Sequence, residues 1–148
     1  MSANDQLSGE VLDFIEGFGL HIQDTGLPRS VGRVLGFLLI CQPEHQSAEQ
    51  IQEKLQLSTG SVNTATTLLR RLGLIKRTTF PSDRHHYYEV DIDCWQQLID
   101  ARIRQFTNGL KIASDGLKIR KDDPRLVGMH YIYQEFLRFS QELTIGYR

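Results

Sequence analysis

Apolar positions recur first at helical spacing. Val11, Phe14, Ile15, Phe18 and Ile22 mark one side of a helix predicted over residues 8–22. Thr25-Gly26-Leu27-Pro28 interrupts it, and Pro28 suits the first turn of the next helix. That helix is predicted to run to about Cys41, with Val31, Val34, Leu35 and Leu38 on one side. Gly32 and Gly36 would let another helix approach closely, and Pro43 ends the element. Ser47-Ala48-Glu49-Gln50 then reads as a capping box opening a short helix with Ala48, Ile51 and Leu55 as its apolar stripe. After a turn at Gln56-Leu57, Ser58 can cap a helix from Thr59 to about Leu72, closed by Gly73. Helix, short turn and capped helix is the helix-turn-helix pattern.

The period then changes. Residues 74–80 and 86–92 read as strands around Pro81-Ser82-Asp83-Arg84, which is turn chemistry. A hairpin directly after a helix-turn-helix is a wing. From about Asp93, Trp95, Ile99, Ile103, Phe106, Leu110, Ala113 and Leu117 approach a heptad seam, weakened locally by Gly109 and Gly116. A helix of roughly 28 residues would be about 40 Å long. A winged helix of this size cannot cover that length, so part of the seam needs another partner. Asp122-Asp123-Pro124 breaks the chain, with Asp123 as N-cap, before a last helix carrying Val127, Ile132, Tyr133, Phe136, Leu137 and Leu143.

The predicted fold is mainly α with a small β-hairpin. Residues 28–92 form a winged helix-turn-helix, flanked by dimerisation helices at 1–27 and 93–148. The apolar surplus expected to build a homodimer is Phe14, Ile15 and Phe18 at one end and Phe106, Leu110, Ile132, Phe136 and Leu137 at the other.

Charge sharpens this picture. Net charge is −1, but residues 58–86 hold five Lys/Arg and one acid, whereas residues 1–57 hold three and eight. Such asymmetry fits a polyanion-binding patch; by itself it also fits a solvated helix end and hairpin. The wheel of the second motif helix decides more. Val62, Ala65, Thr66, Leu68, Leu69 and Leu72 share one face, and Gly60, Asn63, Thr64, Thr67, Arg70 and Arg71 the other. Small polar groups let a helix lie deep in the major groove, where Asn suits adenine and Thr can meet bases or the thymine methyl. A solvated face would more often carry Glu and Lys, and this helix has no acid at all.

Expected DNA contacts are therefore Ser58, Thr59, Gly60, Ser61, Asn63, Thr64, Thr67, Arg70 and Arg71 from the helix, and Arg77, Arg84, His85 and His86 from the wing. Arg84 at the hairpin end can enter a narrow minor groove. Asp83 beside it either orients the guanidinium or caps the turn.

Other chemistries find little support. No apolar run reaches the roughly 18 residues of a membrane helix. The polar start, residues 1–10, does not read as a leader. Cys41 and Cys94 are too few and too far apart for a disulfide framework or a zinc site, and read as free thiols in a reducing cytoplasm. His85 and His86, adjacent on a strand, point to opposite faces and rarely chelate one ion. His21, His45 and His130 stand isolated in the sequence and suit structural or exposed places. No catalytic or phosphate-loop motif appears, so neither an enzyme nor a cofactor is expected. The competing class is a winged helix that docks proteins without reading DNA; the acid-free recognition helix argues against it.

The helix-turn-helix, the Asp-Arg wing and the flanking helices resemble the MarR superfamily of transcriptional regulators. More narrowly, Gly26-Leu27-Pro28-Arg29-Ser30-Val31-Gly32-Arg33, Gly60-Ser61-Val62, Leu72-Gly73-Leu74-Ile75 and Asp83-Arg84-His85-His86-Tyr87-Tyr88 resemble its GbsR-like branch, over residues 8–142. The resemblance implies a homodimer on a palindromic operator, and repression that a small molecule often relieves. Some branch members are thought to sense choline-like osmolyte precursors. Phe14, Phe18, Trp95, Phe106, Tyr131 and Tyr133 could cage such a quaternary ammonium, though any single one of these rings suits a core better. Arg29 and Arg33 acquire no role from the sequence: phosphate contact and intersubunit pairing both stay open.

Overall fold

Ser8 starts the first helix, α1 (Gly9–Gln23), by accepting the Val11 N–H on its hydroxyl. The structure, a computed structural model, describes the backbone of residues 7–147 and the side chains of residues 7–143. The polar stretch read against a leader lies outside the described residues as far as residue 6.

The next helix, α2 (Arg29–Ile40), begins directly after Pro28. Sequence patterning gives it one apolar side, but it is buried almost all round: Val31, Gly32, Val34, Leu35, Gly36, Phe37 and Leu38 are all inside. The chain divides into two compact units, and α2 is the core of the first, which runs to Cys94. One side packs on α1, the other on the helix-turn-helix.

The α1–α2 crossing is close because glycines line it. A Cβ on Gly32 would stand 2.7 Å from the Ile22 Cβ and 2.8 Å from the Gly19 Cα, and one on Gly36 would stand 3.0 Å from the Phe18 Cβ. The neighbour that Gly32 and Gly36 were expected to admit is therefore α1. Ile15 is fully buried in this unit, which corrects its expected role: it is core, with no surface to offer a second chain. Full burial of such a side chain contributes about 1.5–3 kcal/mol.

The same crossing gives Arg29 and Arg33, which have no role from the sequence, a partner within the chain. Arg29 Nη2 donates to Glu16 Oε2. Arg33 Nε donates to Glu16 Oε1 at 2.8 Å, and its Nη2 to the Leu55 carbonyl at 3.1 Å. These arginines, on successive turns of one helix, clamp a single carboxylate on α1.

The helix-turn-helix follows its sequence signals. In the short helix α3 (Ala48–Leu55), Ser47 N–H donates to Gln50 Oε1 at 2.8 Å and Gln50 N–H to Ser47 Oγ at 3.1 Å, so the capping box is complete. Gln56 makes the turn in the left-handed region, φ 53°. The recognition helix α4 (Thr59–Arg71) is capped by Ser58 and ends at Leu72, with Gly73 at φ 78° beyond it.

Leu74, expected as the first wing residue, gives its N–H to the Leu69 carbonyl at 2.9 Å to close α4, while its carbonyl accepts the Asp91 N–H at 3.0 Å across the hairpin. The wing strands are accordingly shorter than expected, Ile75–Thr79 and His86–Val90, paired antiparallel from Ile75↔Val90 to Thr79↔His86. Numbered in chain order they are β2 and β3, because a two-residue strand, β1 (Gln46–Ser47), pairs with the other edge of β3 and makes the sheet three-stranded, in the order β1-β3-β2. Two residues are too short to show alternation, so the sequence reading missed β1.

The second unit, from Trp95, pairs two long helices, α5 (Cys94–Ile119) and α6 (Pro124–Tyr147). Asp123 accepts the Arg125 N–H at 2.9 Å, and α6 begins at Pro124 as the sequence predicts. Gly109 and Gly116, weak points of α5 by propensity alone, have a packing reason. They are where α6 comes close: a Cβ on Gly109 would strike the Tyr133 ring and one on Gly116 the Leu126 methyls. Phe106 stacks on Phe136 with ring centroids 3.9 Å apart and meets Tyr133 at 4.7 Å. Part of the seam's missing partner is therefore α6 of the same chain.

Candidate nucleic-acid interface

The two faces of α4 separate as its wheel predicts. Val62, Ala65, Thr66 and Leu69 are buried; Leu68 is half-buried, and Leu72, at the helix end, is exposed rather than core. Thr66 tolerates burial because its hydroxyl donates to the Val62 carbonyl at 2.9 Å. On the other face Thr59, Gly60, Asn63, Thr64, Thr67, Arg70 and Arg71 are exposed.

The start of the helix is tied down. Ser58 Oγ accepts the Ser61 N–H at 3.1 Å and donates to Ser61 Oγ at 3.0 Å, so these two hydroxyls are engaged with each other. Gln52 Nε2, on α3, donates to Thr59 Oγ1 at 3.1 Å and joins the two helices of the motif directly. Asn63, Thr64 and Thr67 have no side-chain partner among the described residues. Neither Arg70 nor Arg71 has an ion pair among them.

The wing adds two more such cations, Arg77 on β2 and Arg84 in the turn, both exposed and likewise unpaired among the described residues. Lys76, by contrast, meets Glu89 across the hairpin at 3.7 Å. Asp83 does not hold Arg84. Its Oδ1 accepts the His85 N–H at 2.9 Å and faces His85 Nδ1 at 2.8 Å, while Oδ2 accepts the Tyr87 hydroxyl at 2.6 Å. Of the two roles open for Asp83, the structure gives it the turn. The Tyr87 hydroxyl first, and the His85 N–H next, hold its carboxyl down at about 2. The same bond pushes the Tyr87 phenol up from its ordinary value.

The two wing histidines part company: His85 turns to Asp83, and the exposed His86 opens β3 opposite Thr79. Among the described residues, no group of three potential metal-ligating side chains lies together. His45 takes the structural one of its two expected places. Its ring packs 4.7 Å from Phe80 and 5.2 Å from Tyr87, at the foot of the turn. Sequence reasoning missed both His45 and the Tyr87 hydroxyl. The second had a signal, since Tyr87 lies four residues beyond Asp83, across a hairpin turn from it.

Of the residues expected at a dimer surface, Phe14 and Ile132 are exposed, while Phe18, Phe106, Leu110, Phe136 and Leu137 are half-buried. Exposed apolar side chains occur in both units, with Leu12 and Leu20 in the first and Ile112, Ile119, Val127 and Phe139 in the second. No helix among the described residues is long and apolar enough to cross a membrane.

No family model matches the chain. It is similar to the HTH-type transcriptional regulator MmpR5 of Mycobacterium tuberculosis, 33% identical over 129 residues, which covers 84% of this chain and 78% of that protein. Among solved structures, a transcriptional regulator overlays with a TM-score of 0.76 at 28% identity, over 93% of this chain and 97% of its own. A MarR family transcription regulator, SP03579, overlays with a TM-score of 0.44 at 22% identity, over 88% of this chain and 80% of its own. With its winged helix-turn-helix and with MmpR5 33% identical to it along most of its length, the chain belongs to the MarR family of transcriptional regulators.

Proposed function

We propose that this regulator reads double-stranded DNA by sequence, as a homodimer on a palindromic operator, and represses transcription there. One observation carries the reading: Asn63, Thr64, Thr67, Arg70 and Arg71 form an acid-free, exposed face without partners among the described residues, on a helix whose other face is buried. Such a face suits base edges near its start and phosphates near its end. Arg77, Arg84, His85 and His86 supply the wing contact. Two-fold symmetry presents one recognition helix per half-site, hence the palindrome. The dimer is built from Phe14, Phe18, Phe106, Leu110, Ile132, Phe136 and Leu137, with flanking helices at residues 1–27 and 93–148 around the DNA-binding residues 28–92. The regulator acts in the cytoplasm, where its two buried thiols, Cys41 and Cys94, remain reduced.

The Gly26–Arg33 block supports assignment to the GbsR-like branch, since its Gly32, Arg29 and Arg33 all act in the α1–α2 crossing. A small-molecule effector, with quaternary ammonium compounds as the candidate class, completes the reading. It rests on that resemblance and on exposed rings such as Phe14, Trp95 and Tyr131.

The test is selection from a randomised duplex pool, followed by gel shifts with the recovered sequence. Enrichment of a two-fold symmetric site is expected. Failure to enrich any sequence would overturn DNA reading in favour of a protein-docking winged helix. Sedimentation at micromolar concentration tests the dimer, and a monomer without concentration dependence removes it. Calorimetric titration with choline tests the effector class: no heat and no change in DNA affinity exclude that ligand.

A further inference from the structure

Arg33 has a contact that the α1–α2 crossing does not need. Its Nε is on Glu16, but its Nη2 reaches past α2 to the Leu55 carbonyl. Leu55 is the last residue of α3, and its side chain is almost fully buried. Its carbonyl is one of the last four of the helix, which have no partner inside it and carry the negative end of the helix dipole. Gln56 follows in the left-handed region, and Ser58 caps α4 only three residues after Leu55. Gln52 then fastens α3 to Thr59 at the start of α4.

We infer that Arg33 is a positioning residue for base reading: one guanidinium ties α1, through Glu16, to the end of α3, and so fixes where the recognition helix begins. Three features make it a strut rather than a surface ion pair. The Arg33 side chain is only 20% exposed, whereas that of Arg29 is 46% exposed. Both Glu16 oxygens are occupied, one by each arginine, which sets the orientation of the carboxylate. The helices it joins leave no slack, because Gly32 and Gly19 bring α1 and α2 into backbone contact. A planar fork can serve two acceptors in fixed directions; an ammonium on a flexible stem cannot hold both in that geometry.

Base contacts need this accuracy more than phosphate contacts do. A recognition helix whose start is blurred keeps its charge near the backbone but loses hydrogen-bond geometry at base edges. A strut of this kind acts without meeting DNA itself. Its loss should therefore lower discrimination without changing the number of phosphates neutralised.

The inference rests on the DNA-reading function, and the test separates the two. The wild-type chain is first used to select a site from a randomised duplex pool. Affinity for that site and for a scrambled duplex is then measured by fluorescence anisotropy at several salt concentrations. The proteins are full-length wild type, Arg33→Met, Arg33→Lys and Glu16→Gln, with melting temperature recorded for each. Arg33→Met should lower the ratio of selected-site to scrambled affinity roughly tenfold, with the salt slope unchanged. Arg33→Lys should recover melting temperature more fully than it recovers the ratio, because it keeps the charge and not the fork. Should Arg33→Met fail to fold, Arg33→Lys and Glu16→Gln carry the test, each with a lowered ratio.

An unchanged ratio in the folded variants overturns the strut and leaves DNA reading intact. So does a ratio that simply tracks melting temperature. Equal losses on both duplexes with a flatter salt slope would make Arg33 a phosphate contact instead. No enrichment by the wild-type chain removes DNA reading and the inference with it.

Discussion

The recognition helix and the wing tip carry similar exposed cations on very different supports. Behind α4 stand Val62, Ala65, Thr66 and Leu69, packed on a helix that is itself buried almost all round. Behind Arg84 stands an exposed turn, shaped by two oxygens of Asp83 and by the rings of His45, Phe80 and Tyr87. Apolar packing fixes position in every direction, whereas a few polar bonds at the surface compete with water. Under the proposed function the helix discriminates and the wing grips, a division that the choice of side chains repeats: short and neutral at Asn63, Thr64 and Thr67, long and charged at Arg84.

The largest expected effect breaks the support of the helix without touching its face. Gly32→Ala would put a Cβ 2.7 Å from the Ile22 Cβ and 2.9 Å from the Phe18 carbonyl oxygen, and neither atom is the end of a flexible chain. Overpacking of this kind costs about 1–3 kcal/mol, and the upper end is expected here because a backbone atom is struck. Urea unfolding measures it. A variant as stable as wild type would mean that α1 and α2 can move apart freely.

The second sharpens the contrast at the DNA. Asn63→Ala should cost roughly 1–3 kcal/mol on the selected operator and much less on random duplex. Asn63 is exposed and without a side-chain partner among the described residues, so stability should barely change. Equal losses on both duplexes would show that this side chain does not read bases.

The same contrast explains what was legible in the sequence. Elements set by local chemistry could be read directly: the capping box at Ser47 and Gln50, the cap at Ser58, and the break at Asp123-Pro124. The exposed face of α4 was legible because helical period alone separates it from the core. What escaped depends on partners distant in sequence. Ile15 sits on an apolar stripe that points as well to a second chain as to α2; only the fold decides that it is core. Arg29 and Arg33 had no role because Glu16 lies 13 and 17 residues before them. Gly109 and Gly116 looked like defects because Tyr133 and Leu126, which fill their space, belong to another helix.

A third, smaller effect belongs to the wing. Arg84→Ala should weaken operator and random duplex nearly alike, and flatten the salt dependence by about one charge per subunit if Arg84 meets phosphate. If it enters a narrow minor groove, the loss should instead depend on the sequence flanking the half-site. Affinities at several salt concentrations, with A/T-rich and G/C-rich flanks, separate the two. Unchanged affinity on every duplex would take Arg84 out of the contact surface, and with it the distinction between a reading helix and a gripping wing.

The smallest effect concerns the shape of the turn. The Asp83 carboxyl is held at about 2, below the ordinary carboxylate value near 4, chiefly by the Tyr87 hydroxyl and then by the His85 N–H. A group with a depressed folded pKa stabilises the fold fully above its unfolded pKa and loses that contribution as pH falls through the folded value. The turn should therefore be intact down to about pH 4 and loosen between about 4 and 2. Tyr87 sets the other edge. Its phenol is pushed up by the same bond, so that bond survives until pH rises through the raised value. Tyr87→Phe removes the phenol hydrogen bond, and the Asp83 midpoint should climb toward the ordinary carboxylate range while Arg84 keeps its charge. Carboxyl carbon shifts followed by NMR titration check this in both proteins. An Asp83 midpoint unmoved by Tyr87→Phe would mean that the backbone N–H alone shapes the wing tip. Operator affinity at neutral pH should fall less in this variant than in Arg84→Ala, since only the preset geometry of the turn is lost.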